Sequence, residues 1–151
     1  QLLHIKAAHT DGDTVVFFRR CDVISAGDVF TPDRYPLIDL SRGGSIDGLV
    51  AGINYILEVA VPDINQEGGT MIVPGHGRLC DESDVSDYRD MVTIVRDRVL
   101  DMVQKKMTLD QVKAARLTRD YDGVYAKPGN TGDMFVEAVY RSLSAQTGRA
   151  K

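Results

Sequence analysis

A chain of 151 residues, 43% hydrophobic and 26% charged, holds enough apolar material for one domain with a real core and does not have the composition of a disordered tail. Its net charge of -4 comes without a basic stripe, which sets aside a dedicated nucleic-acid binder. No apolar run is long enough to cross a bilayer as a helix, so no membrane partner is expected.

The chain opens on Gln1 and runs straight into the apolar Leu2-Leu3-His4-Ile5, with no charged leader or cleavage pattern ahead of it. A domain seldom starts inside a core strand, and upstream sequence is expected. Residues 2–6 form the first strand, and Thr10-Asp11-Gly12 turns the chain into a β-branched and aromatic run, residues 14–18. Arg19 to Asp22 make the next turn, and Val23-Ile24 open a third strand that ends at Gly27-Asp28. This is a meander in which the first and third strands point the same way.

Residues 29–44 are a long irregular segment with Pro32, Pro36, Gly43 and Gly44, of a length that is often functional. Ser45 is an N-cap, and Ile46, Leu49, Val50, Ile53, Ile56, Leu57 and Ala60 follow at helical spacing. Past Pro62 and Gly68-Gly69, Met71-Ile72-Val73 make a short buried strand that stops at Pro74-Gly75-His76-Gly77. A long amphipathic helix runs from Val85 to Val103, and Thr108 with Gln111 has the capping-box pattern for a shorter one. Residues 118–129 read as loop, and Met134, Phe135, Ala138, Val139 and Leu143 mark a terminal helix. In Val15-Val16-Phe17-Phe18 both faces are apolar, so both should be covered. Helices of this chain can cover one; something else must cover the other.

Three polar side chains share one position. His9, Asp28 and His76 each sit just after an apolar strand. If those strands run parallel, with residues 14–18 antiparallel between the first two, all three lie at one sheet edge. Ligands gather at the carboxyl ends of strands in such sheets, and two imidazoles with a carboxylate suit zinc or a similar divalent ion. The plainer alternatives stay open. A histidine in a turn is often a surface or capping residue, the glycines flanking His76 also suit a tight turn, and Asp28 after Gly27 also suits an Asx-turn. His4 lies within the first strand and has no partner at a telling distance.

Other chemistries fit less well. Gly43-Gly44-Ser45 matches neither GxGxxG nor a P-loop, and no GxSxG elbow occurs. Cys21 and Cys80 are too few for a disulfide framework and have no CxxC spacing. They read as small buried or half-buried residues, able to pair only if the fold brings them together.

Ala8-His9-Thr10-Asp11-Gly12-Asp13, then Gly27-Asp28-Val29-Phe30, then Pro74-Gly75-His76-Gly77 resemble, in that order, the second half of the metallo-β-lactamase superfamily. The match covers residues 2–80; the helical tail fits less specifically. The resemblance implies an α/β fold in which residues 1–151 form the carboxy-terminal half of an αββα sandwich, a mixed sheet with helices on one face. It implies that His9 is the third histidine of the first metal site, that Asp28 bridges both metals and that His76 belongs to the second. The cofactor would be zinc, two ions per complete site. The family's HxHxDH motif has no counterpart here, so each ion would keep two donors where catalytic zinc takes three and a water.

The resemblance thus implies a fragment of a metal-dependent hydrolase that cleaves an ester, amide, lactam or phosphoester, inactive or weakly active alone. Its expected partners are the missing amino-terminal half or a second copy in a homodimer, and a small-molecule substrate. Arg34 and Tyr35 are candidates for substrate contact, with packing or a salt bridge as the alternative. The competing readings are a metal-free, non-catalytic module that folds by dimerising or by binding a ligand, and an α/β ligand-binding module whose histidines are incidental. Many relatives are exported, which leaves the compartment open.

Overall fold

A computed structural model describes residues 1–63 and 68–149, with side chains to residue 145. Four strands form one sheet in sequence order: β1 (Leu2–Ile5), β2 (Asp13–Phe18), β3 (Val23–Gly27) and β4 (Met71–Pro74). β1 and β2 pair antiparallel, as do β2 and β3, while β3 and β4 pair parallel. β1, β3 and β4 therefore run in one direction, and their carboxyl ends share one edge of the sheet. Short connections make the first three strands a meander. The parallel fourth needs the crossover that α1 (Ile46–Val59) provides.

Side chains alternate across the sheet. Ile5, Val15, Ile24, Ala26 and Ile72 face the core, where they meet α1, α2 (Glu82–Gln104) and α5 (Gly132–Arg149). The other face carries Leu2, Phe18 and Met71, which are 74%, 52% and 46% exposed. Apolar residues on both faces of β2 led to an expectation of cover on both; among the described residues only one face has it. The result is the expected mixed α/β sheet with helices on one side.

The helices begin where the sequence caps them. Ser45 accepts the Gly48 N–H at the start of α1, and Asp81 and Asp84 form a reciprocal capping box on α2. Thr108 and Gln111 do the same for α3 (Leu109–Ala114). One expectation is corrected. Residues 118–129 are not all loop, since Asp122–Tyr125 form the short helix α4. It falls below the length at which hydrophobic spacing signals a helix, and α4 is held by contacts to Tyr35. Cys21 and Cys80 are both free thiols, one exposed and one buried. Burial pushes the Cys80 thiol up to about 12, with the Asp84 carboxylate adding to the effect, so it stays protonated at neutral pH.

α1 lies so close to the end of β1 that a Cβ on Gly48 would stand 2.0 Å from the Ala7 carbonyl oxygen. Alanine should improve helix propensity there by about 1 kcal/mol, whereas overpacking against backbone costs about 1–3 kcal/mol. Gly48→Ala is expected to lower stability in urea unfolding by about 1 kcal/mol net of these two effects; greater stability would show that α1 can back away from the sheet.

Candidate active site

His9, Asp28 and His76 reach the same edge by three local devices. Past β1 the backbone of His9 is pinned by Asp39, whose N–H donates to the His9 carbonyl at 2.8 Å. At the end of β3 the pairing with β4 skips a residue: Ser25 faces Val73, and Gly27 faces Pro74. This bulge, with Gly27 at φ +55°, re-aims the residue that follows, as bulges beside functional sites do. Past β4 the Gly75 N–H donates to the Gly27 carbonyl at 2.7 Å. A Cβ on Gly75 would fall 2.2 Å from Asp28 Oδ1, so only glycine allows the carboxylate to lie against that backbone.

Asp28 consequently stands between the two imidazoles. His9 Nε2 is 3.8 Å from Oδ2, and His76 Nε2 is 3.5 Å from Oδ1. Both separations are too long for a hydrogen bond. They lie near the spacing of about 3.4 Å between two ligands of one tetrahedral ion with bonds of about 2.0–2.1 Å. Each imidazole meets a different carboxylate oxygen, which suits a carboxylate that bridges two positions. The donors available at each position are two. Among the described residues no group of three His, Cys, Asp or Glu side chains is placed to hold one ion. Two imidazoles and a carboxylate are donors of the type a divalent ion takes.

His9 is oriented from behind. Its Nδ1 lies 2.8 Å from the Leu37 carbonyl oxygen. That oxygen can only accept, so Nδ1 carries a proton, and Nε2 is the nitrogen turned toward Asp28. A backbone or carboxylate partner on the far nitrogen is the usual support of a metal-binding histidine. His76 is 62% exposed at the rim.

The three residues line a small cavity of about 100 Å³ together with Thr31, Arg34 and Leu37. Arg34 is thus beside the candidate ligands. Tyr35, its neighbour in sequence, is fully buried. Its hydroxyl donates to Asp122 at 2.8 Å and lies 3.2 Å from the Thr118 carbonyl oxygen, and its ring stacks on Phe135. Burial, and then the Asp122 carboxylate, raise its pKa further from neutrality. Tyr35 anchors the 29–44 segment, with its ring in the wall of a second, larger cavity. That cavity, of about 590 Å³, also borders His9. Sequence reasoning missed it because its walls come from the segment 35–40 and α5, far apart in the chain.

No protein-family model and no curated protein matches the sequence. Solved structures do match. The stereoselective inverting sec-alkylsulfatase Pisa1 from Pseudomonas sp. superposes with a TM-score of 0.69 at 17% identity, over 93% of this chain and 23% of its own. The fold is that of part of a metallo-β-lactamase domain. A double mutant of the alkylsulfatase gives 0.67 at 16% identity over the same shares. The B3 metallo-β-lactamase BLEG-1 matches 62% of this chain and 41% of its own at a TM-score of 0.46 and 26% identity. The chain spans less than a quarter of the alkylsulfatase's length. These structural neighbours are hydrolases, a sulfatase and a β-lactamase.

The position of Tyr35 generates a test. Tyr35→Phe removes the hydroxyl's proton and leaves Asp122 short of a donor, so it should cost about 1–3 kcal/mol in thermal or urea unfolding. The ring resonance of His76 should stay in place, while that of His9, held by the Leu37 carbonyl of the segment that Tyr35 anchors, should shift.

Proposed function

We propose that the chain carries half of the active site of a metal-dependent hydrolase, with His9 and Asp28 as donors to one ion and Asp28 and His76 to the other. The observation that carries this reading is the Asp28 carboxylate presenting one oxygen to each imidazole at a single sheet edge. The hydrolase chemistry of the structural neighbours supports it. Zinc is the ion the donor set favours. Bound there, such ions would supply a nucleophilic water at neutral pH and polarise the scissile bond of an ester, amide, lactam or phosphoester.

The rest falls to the chain's own residues. The Leu37 carbonyl holds His9 in one tautomer, with Nε2 toward the site. Gly75 leaves room for Asp28 and ties the ends of β3 and β4 together. Arg34 contributes a cation to the wall of the small cavity, suited to a negatively charged group of a substrate. Two donors per ion give loose binding, so the chain by itself is at best weakly active. Full activity requires a partner surface that brings further ligands, either an amino-terminal half with HxHxDH or a second copy. The bare face with Leu2, Phe18 and Met71 is where such a partner would bury apolar area.

A second reading has an observation of its own. Because no three ligands converge among the described residues, the chain could be a metal-free module that uses the same bare face to dimerise. Zinc titration followed by histidine ring resonances separates the two. Outer-shell losses alone weaken metal sites by about 10–100-fold, so loss of a ligand should cost more. Asp28→Ala should abolish the response of both imidazoles, and His76→Ala should spare the response of His9. Zinc binding unchanged in His9→Ala, Asp28→Ala and His76→Ala would leave the metal-free reading.

A further inference from the structure

The larger cavity is the part of the molecule that the metal chemistry does not use. Its volume of about 590 Å³ is that of a small-molecule site, several times that of the cavity around Asp28. Leu37, Ile38 and Leu40 line it from the irregular segment, and Met134, Phe135 and Ala138 from α5. Three of these are large apolar side chains left open: Leu37 is 52% exposed, Met134 50% and Leu40 36%. Single exposed apolar residues are ordinary; several around one concavity mark a binding surface.

Its carboxylates are already paired. Glu137 is bound by Lys113 and by Arg141, at 2.8 Å for the latter, and Asp39 accepts from Ser41 and Arg42 at the turn Leu40–Arg42. The cavity thus offers an apolar floor with few polar demands on an occupant. His9 and Leu37 line both cavities, so the large one neighbours the small one.

We propose that this cavity holds an apolar arm of the substrate, an alkyl or aryl group several carbons long, while the scissile bond lies at His9 and Asp28. The inference rests on the hydrolase reading of the same site and names its substrate class: esters or related compounds with a sizeable hydrocarbon substituent next to the cleaved bond. An apolar occupant fits because Leu37, Ile38, Leu40, Met134, Phe135 and Ala138 supply much of the lining, while Asn130, Glu137 and Asp39 are engaged with the protein itself. It would extend toward His9, which lines both cavities. α5, which has no part in the metal ligands, would then set specificity through Met134 and Ala138.

The chain's five methionines allow a direct test. With 13C-methyl methionine and labelled histidine, the intact chain is titrated with butanoate, hexanoate and octanoate, the acids that hydrolysis of such esters would release. Met134 lies in the cavity and Met71 on the bare sheet face, so one spectrum tells the two surfaces apart. The expected result is a saturable shift of the Met134 methyl together with the His9 ring. Affinity should rise about threefold to fourfold for each methylene buried. Ala138→Phe, which fills the cavity, should remove the response.

A shift confined to Met71 would overturn the proposal, as would no saturable shift at Met134, or equal affinity for butanoate and octanoate. If Ala138→Phe does not fold, the chain-length series on the parent chain still decides. The metal reading fails separately: a zinc titration that leaves both His9 and His76 rings unmoved overturns it, whatever Met134 does.

Discussion

The site depends on one close approach of backbone to backbone. The Gly75 N–H donates to the Gly27 carbonyl, and the absence of a side chain at residue 75 leaves space for the Asp28 carboxylate. β3 and β4 are brought to a common end by this contact. The bulge between Ser25 and Gly27 uses up one residue so that the next carboxylate turns to the edge, where His9 and His76 already lie. The constraint is local, but the meeting of three side chains from three strands follows from it.

A second chain of contacts links the carboxy-terminal helices to the same point. Thr118 and Asp122 hold the hydroxyl of Tyr35, and Asn130 exchanges hydrogen bonds with its backbone. Tyr35 in turn fixes the course of the segment that runs through Leu37, whose carbonyl orients His9. The helical tail, with no ligand of its own, thus positions one of the histidines and builds the wall of the larger cavity. This gives a physical reason for the segment 29–44 to be long and irregular yet ordered. It carries backbone groups to places that neither a strand nor a helix could supply.

Much of this was legible in the residues. Apolar runs bounded by turns placed all four strands, and Ser45, Thr108 and Gln111 marked helix starts that the structure has where expected. The position of His9, Asp28 and His76 after three apolar strands was legible too, the directions of β1 and β3 following from short connections and that of β4 entering only as a condition. What stayed hidden depends on contacts distant in sequence. Tyr35 reads as a surface candidate until Asp122 is seen to receive its hydroxyl, and α4 is too short to show a period. The cavity at Leu37 and Met134 is formed by residues about a hundred positions apart, a pairing no local pattern encodes. Nor does alternation in β2 say what covers its outer face; it says only that the face is apolar.

The most direct test of the central claim is crystallographic. Crystals of the chain soaked in zinc and measured across the zinc absorption edge should show anomalous density at Asp28, in one position shared with His9 Nε2 and in a second shared with His76 Nε2. Density confined to surface carboxylates elsewhere, with the surroundings of Asp28 empty at the same zinc concentration, would contradict the account.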